Sequence, residues 1–439
     1  MKLALVGALL VACSHPPPPD APDPPPGAVT ATTASATDSP ETKTAIDAIV
    51  RVFELLTSTS VMIGDHTQIA EAGVAGLGFK SPIPWTTEPS RDRDLMRGAI
   101  RAMTMHGQLP AGSVLRAARA MALASGDAQT FAVDRAGLAA LYGLVGGVPV
   151  TQLGLVVHQQ DDKQWAATTS YGAARAAGVQ PGDTIVAVDG TPVTHGWRDF
   201  AYLLGRPVGT AVKLDVVRAG APVDITARLA AATGPIVESR VLPGGAIGYV
   251  HVWACTHADD PKRDAAALVQ RALADFDRRR VKQLVIDLRG NAGGFPFDLA
   301  SLLVDADPLL YAVPAAGEPK PIARTKLAAW KTKRAIAVIV DEATASGAEM
   351  LALILRDHAA ATLVGTPTAG GLTFPTTAQL PDDITLSYPE SRVGNKDQAV
   401  QDGNRLVPDV VVGNPSAADD AANRDPQLAA AIDAVTKAS

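Results

Sequence analysis

Cysteine is nearly missing from this chain of 439 residues: only Cys13 and Cys255 occur, too few for a disulfide framework, so the fold must stand on its core. Aromatics make up 4% and charged residues 19%, and 39 Lys+Arg against 45 Asp+Glu leave a net charge of -6. No basic cluster longer than Arg278-Arg279-Arg280 stands out, which argues against a nucleic-acid partner. No apolar run reaches the length of a spanning helix. No G-x-G-x-x-G follows the Asp287-Leu288 strand, so dinucleotide cradling is not indicated, and no cofactor is expected. What remains is 47% hydrophobic, ample for the cores of about three domains at roughly 150 residues each.

The N-terminus reads as an address. One basic residue, Lys2, precedes an apolar run ending in Leu10-Val11-Ala12-Cys13. That ending resembles the lipobox of bacterial lipoproteins, which implies cleavage before Cys13 and lipidation of its thiol. The expectation is an exported protein anchored by a lipid on the periplasmic or cell-surface side. Residues 14–40 are rich in proline and favour polyproline II. At about 3.1 Å per residue such a stalk reaches on the order of 80 Å.

Residues 41–148 carry helical spacing, with Ile46, Ile49, Val50, Phe53 and Leu56 on one face. Residues 149–230 change to short β-branched runs between glycine and proline turns. Residues 231–439 alternate strand and helix, the pattern of an α/β layer.

Within the β-rich part, Ala173-Ala174-Arg175-Ala176-Ala177-Gly178-Val179-Gln180-Pro181-Gly182-Asp183-Thr184-Ile185-Val186-Ala187-Val188-Asp189-Gly190 resembles a PDZ domain. Such domains bind extended C-terminal peptides as an added strand. The resemblance puts the carboxylate loop at Gln152, Leu153, Gly154 and Leu155.

Two strand-to-helix junctions carry the candidate chemistry. Gln283-Leu284-Val285-Ile286-Asp287-Leu288 opens into Arg289-Gly290-Asn291-Ala292-Gly293-Gly294, and Ala335-Ile336-Ala337-Val338-Ile339-Val340 opens into Asp341-Glu342-Ala343-Thr344-Ala345-Ser346-Gly347-Ala348-Glu349. In open α/β sheets ligands bind beyond the C-terminal strand ends. Ser346 would stand at a helix N-terminus, where free N–H groups stabilise negative charge. Read from residue types alone, Ser346 is equally well a helix N-cap and the glycine pair a turn.

The order of helical lead-in, PDZ-like module, these two loops, Gly365-Thr366-Pro367-Thr368-Ala369-Gly370-Gly371 and Val407-Pro408-Asp409 resembles the C-terminal processing (tail-specific) serine peptidases and their tricorn-like relatives. The resemblance spans about residues 41–413. It implies a ClpP/crotonase-like α/β core, Ser346 as nucleophile, and the Gly293 and Gly347 amides as an oxyanion hole acting on unfolded or C-terminal peptide segments.

The same resemblance exposes a gap. The lysine that processing members carry after the serine falls at Gly371 here, and the histidine of tricorn-like members falls at Gln129 in Gly126-Asp127-Ala128-Gln129-Thr130. Neither glycine nor an amide can take a serine proton near neutral pH. Asp402 matches the late acidic position. His66, in Gly64-Asp65-His66-Thr67, is an alternative base, with a packed or surface histidine as its bland reading. His251, Cys255 and His257 alternate along one strand, but the spacing fits no zinc signature and no metal is expected. Two functions stay open: an exported endopeptidase working through an acyl-enzyme on Ser346, or a peptide-binding lipoprotein that keeps the fold without the base.

Overall fold

The computed structural model describes residues 39–62, 64–79, 82–104, 109–160, 163–330, 334–416, 419, 422 and 424–437. The expected leader, Cys13 and most of the proline-rich stalk lie outside these. Among the described residues no helix is long and apolar enough to cross a membrane.

The chain begins with helices α1 (Pro40–Glu54), α2 (His66–Ala75), α3 (Pro89–Thr104) and α4 (Ser113–Ala124), followed by strand β1 (Phe131–Val133) and helix α5 (Arg135–Val145). Ser39 caps α1, its hydroxyl accepting the Thr42 N–H at 3.2 Å, with Pro40 at the first helical position. Ile46, Ile49, Val50 and Phe53 are at most 1% exposed, as their spacing predicts. Each such side chain contributes roughly 1.5–3 kcal/mol by leaving water. The helices do not close on themselves, however. Their core continues into Leu380, Ile384, Leu386 and Tyr388, and β1 pairs with a strand near the far end of the chain, Phe131 opposite Ser387. The helical segment is therefore one layer over the last domain rather than a separate unit.

The β-rich module holds β2 (Val150–Gln152), β3 (Leu155–Gln159), β4 (Trp165–Ser170), α6 (Gly172–Ala176), β5 (Thr184–Val188), β6 (Thr191–Pro192), a 3₁₀ segment Gly196–Leu203, β7 (Ala211–Arg218), β8 (Ala221–Arg228) and β9 (Ala230–Ala232). The main sheet has the order β3-β4-β5-β7-β8, which leaves β3 at an edge. Its turns follow from sequence. Asp183 accepts the Gln180 N–H at 2.8 Å and holds Arg218 through two 2.6 Å bonds, and Asp189 and Gly190 both take positive φ, as a tight hairpin turn demands.

The last domain runs β10 (Val237–Val241), β11 (Ile247–Val252), α7 (Ala265–Arg278), β12 (Gln283–Asp287), α8 (Phe297–Leu303), β13 (Leu310–Pro314), β14 (Lys320–Ile322), β15 (Ala335–Val340), α9 (Gly347–Ala359), β16 (Thr362–Gly365), β17 (Thr373–Leu380), β18 (Ile384–Gly394), β19 (Val410–Val411) and α10 (Pro426–Lys437). One sheet has the order β10-β11-β12-β15-β16-β19 and is parallel from β11 onward. Helices α7, α8 and α9 fill one face and α10 the other. This is the expected α/β layer, with element ends displaced by a few residues. The antiparallel sheet β1-β18-β13-β14, with β17 on β18, was not anticipated. It consists of strands from both ends of the chain, a pairing that local periodicity does not encode.

Candidate active site

Strands β12 and β15 are parallel neighbours, with Asp287 opposite Ile339, so the loops leaving their C-terminal ends meet. Asp287 is buried and, despite the burial that opposes it, held well below the usual carboxylate range by Arg289. Arg289 also reaches Asp425 at 2.7 Å and so fixes the root of the first loop. The two loops are then stitched together. Gly290 N–H donates to Asp341 at 3.1 Å, Thr344 Oγ1 donates to the Leu288 carbonyl at 2.9 Å, and Ala345 N–H donates to the Asn291 carbonyl at 2.9 Å.

Ser346 stands at the tip of the second loop and is half-buried, at φ 54° and ψ -123°. A positive φ at a residue with a Cβ costs on the order of 1–3 kcal/mol and persists only where the surroundings enforce it. Here they do. A Cβ at Gly293 would lie 2.7 Å from Ser346 Cβ, and one at Gly347 would lie 2.3 Å from the Gly294 carbonyl oxygen. Bare glycine backbone is what lets the loops approach this closely.

The two expected oxyanion donors differ. Gly347 N–H opens α9 and has no hydrogen-bond acceptor among the described residues, as an anion site requires. Gly293 N–H is instead donated to Asn291 Oδ1 at 2.8 Å. Serving an oxyanion would require it to give up that bond.

The residue that sequence reading left in the background is Glu349. It is fully buried, and its carboxylate accepts Ser346 N–H at 2.8 Å, Gly370 N–H at 3.0 Å, Gly371 N–H at 2.7 Å and the Thr368 hydroxyl. Burial outweighs these four bonds and pushes its pKa up to about 7. The Ser-x-x-Glu spacing of a capping box was the available signal.

The two positions at which the resemblance places a base, 129 and 371, lie together. Gln129 is buried and donates Nε2 to the Gly371 carbonyl at 3.1 Å, and a Cβ at Gly371 would lie 3.1 Å from Ser346 N. Other candidates do not join them. Asp402 is exposed and makes no side-chain hydrogen bond to Gln129, Glu349 or Ser346 among the described residues, although the neighbouring Gly403 carbonyl lies 3.3 Å from a Cβ placed at Gly370. His66 opens α2, where it faces Asp92 and Asp65 at 4.0 Å and Thr67 Oγ1 at 3.5 Å, and hydrogen-bonds no residue of the serine loop.

The alternating trio on β11 and beyond also separates. His251 Nε2 lies 3.0 Å from the Arg289 carbonyl with its ring stacked on Trp253, and Cys255 is fully buried, its thiol pushed up to about 12 by burial. His257 alone reaches the surface, where Asp298 meets it at 2.9 Å.

In the PDZ-like module the carbonyls of Leu153 and Gly154 accept the N–H groups of Ala174 and Tyr171, both at 2.8 Å, while Gln152 is anchored to Ala232 and Tyr171. Gly154 takes φ 78°, and β3 runs from it along a sheet edge beside the 3₁₀ segment, where at its far end Gln159 N–H donates to Glu342 and the Gln159 carbonyl accepts Asn414 Nδ2 at 2.6 Å.

A strained serine at a helix N-terminus, set beyond the C-terminal ends of parallel strands and flanked by a PDZ-like module, is the arrangement of serine hydrolases that carry a PDZ-like domain. Residues 246–412 match peptidase family S41 and residues 171–218 match the PDZ domain. The chain is thus similar over these segments to C-terminal processing PDZ serine peptidases of family S41. It is 29% identical to the carboxyl-terminal-processing protease of Synechocystis sp., over 60% of this chain and 62% of that one. It is 30% identical to the chloroplastic carboxyl-terminal-processing peptidase 2 of Arabidopsis thaliana, over 50% and 44%. The match thus spans about half the length of these curated relatives. Among solved structures, the photosystem II D1 C-terminal processing protease shares the fold, with a TM-score of 0.53 and 21% identity, over 84% of this chain and 93% of that one.

Proposed function

We propose that this chain is an exported, lipid-anchored serine endopeptidase that captures unfolded or C-terminal peptide tails through its PDZ domain and attacks them with Ser346. The observation that carries the reading is the strained Ser346 beside the unpartnered Gly347 N–H. Attack forms the bond from Ser346 Oγ to the scissile carbonyl carbon while the hydroxyl proton passes to water, and the carbonyl oxygen gains negative charge toward Gly347 N–H. Collapse breaks the C–N bond and expels the amine, which takes a proton from water, and a second water hydrolyses the acyl-enzyme and returns a proton to Ser346 Oγ. The edge position of β3, following the left-handed Gly154, supports tail capture by strand addition along its first residues.

With Gln129 and Gly371 at the base positions, turnover is slow. An oxyanion site and substrate binding without a full triad retain on the order of 10³–10⁴-fold acceleration over water. A specific observation also favours the second reading, a peptide-binding protein without turnover. The Gln129 to Gly371 hydrogen bond occupies the place of a base with a group that cannot ionise.

Digestion of an unfolded protein beside Ser346→Ala separates the two. Cleavage lost in the variant supports the peptidase. Equal inertness with retained peptide binding replaces it by the binder. Palmitate labelling lost in Cys13→Ala tests the anchor, and label that persists overturns it.

A further inference from the structure

We infer that His257, Asp264 and Asp298 form a binding site for one first-row transition cation of the zinc class, beside the Gly293–Gly294 loop. Three segments bring the donors together: the loop after β11, the N-cap of α7 and the first turn of α8. His257 Nδ1 lies 2.9 Å from Asp298 Oδ2 and 3.8 Å from Asp264 Oδ2, and the three ligand atoms all fall within 4.8 Å of one another. An ion with bonds of about 2.0–2.2 Å places neighbouring donors roughly 3.0–3.5 Å apart, within the span already present.

Charge argues in the same direction. Asp264 and Asp298 are 13% and 25% exposed at their side chains, and among the described residues neither pairs with a lysine or arginine. Two carboxylates therefore share a single imidazole. A divalent ion in place of the imidazole proton would balance them.

The donors are also held in place from behind, as ligands of a metal require. Asp264 Oδ1 accepts Ala267 N–H at 2.8 Å as the α7 cap, and its Oδ2 accepts Ala258 N–H at 3.2 Å, with a lone pair left over. His257 N–H is fixed to the Val145 carbonyl at 2.8 Å, and its ring packs on Phe295 at 4.9 Å. Asp298 has no hydrogen-bond partner besides His257 among the described residues, so its carboxylate is free to turn. Nitrogen and oxygen donors without sulfur suit zinc better than calcium or magnesium, which prefer all-oxygen sets. His257 is half-exposed, which leaves room for water to complete the shell. The site adjoins the catalytic loop: Phe295 N–H donates to the Cys255 carbonyl, one strand step from Gly294. A bound ion would brace that loop. Nothing in this proposal depends on whether Ser346 is reactive.

The test is equilibrium dialysis and calorimetry of the full chain with zinc chloride after chelator treatment, with magnesium and calcium chloride as separate arms. We expect one zinc per chain bound through this site, with affinity at least tenfold weaker in His257→Ala and in Asp298→Asn, and unchanged in His195→Ala, a surface histidine of the PDZ domain. Zinc uptake that is identical in wild type, His257→Ala and Asp298→Asn overturns the proposal, as does absence of zinc binding in wild type. A response to calcium alone overturns the zinc-class assignment. Should His257→Ala fold poorly by its thermal midpoint, Asp298→Asn, which changes one charge on an accessible side chain, decides the question.

Discussion

Gln129 donates its side-chain amide to the carbonyl of Gly371, 3.1 Å away, and in doing so joins the two places where relatives of this fold would carry a base. The pair closes the gap beside Ser346 with a neutral hydrogen bond. An imidazole at position 129 would replace a buried planar side chain that already donates to the Gly371 carbonyl. We therefore predict that Gln129→His raises the rate of Ser346 acylation, read with a fluorophosphonate probe or by peptide hydrolysis, by 10²-fold or more, the scale of a general base. The double variant Gln129→His/Ser346→Ala should be inert. A Gln129→His protein that folds and shows no gain would mean that the serine itself is misplaced.

The lysine route is expected to fail where the histidine route works. A Cβ at Gly371 would lie 2.9 Å from Glu349 Oε2 and 3.1 Å from Ser346 N, both parts of a rigid hydrogen-bonded knot. Gly371→Lys should therefore lower the unfolding midpoint, by about 1–3 kcal/mol of stability, and leave acylation no faster than wild type. Chemical denaturation beside probe labelling reads both.

Glu349 makes stability depend on pH in an unusual direction for a carboxylate. Its folded pKa, pushed to about 7, lies above its ordinary value of 4.5, so the folded state favours the protonated form. The stability this contributes is complete below about 4.5 and is lost as pH rises through about 7, on the order of 3 kcal/mol. Asp341, raised to about 7 by burial and by Glu342, acts in the same direction. Urea midpoints between pH 5 and 8 should fall with pH in wild type and fall less steeply in Glu349→Gln, whose amide stands in for the protonated acid. Parallel slopes in the two proteins would show that Glu349 does not titrate in this window.

Much of this was legible in the sequence because it is local. The 3.6-residue spacing of Ile46, Ile49, Val50 and Phe53 places α1, and the Pro-Gly-Asp and Asp-Gly turns place β5. The alternation of apolar runs and small-residue loops places β12, β15 and the serine that follows β15. What escaped depends on contacts between distant residues. Strand β1 was read within a helical stretch because its partner, β18, lies some 250 residues downstream, and three residues carry too little pattern to announce a strand. Glu349 could be seen as a capping-box acid, but its bonds to Gly370 and Gly371 required the fold. The pairing of Gly293 N–H with Asn291 Oδ1 likewise depends on a loop conformation.

The PDZ loop offers a test independent of the serine. Gly154 sits at φ 78°, and a Cβ there would come within 2.3 Å of the Tyr171 carbonyl oxygen. The contact cannot relax cheaply, because Tyr171 N–H is bonded to the Gly154 carbonyl at 2.8 Å and the backbones are locked face to face. Gly154→Ala must either break that bond or push the start of β3 off its edge, and both distort the loop that would receive a peptide carboxylate. We expect at least a tenfold loss of affinity for C-terminal peptides by fluorescence anisotropy, with the chain still folded by its thermal midpoint. Amidating the peptide terminus should cause a comparable loss in wild type and little further loss in Gly154→Ala, since the variant has already given up the carboxylate contact. Additive losses would mean that the tail is held elsewhere.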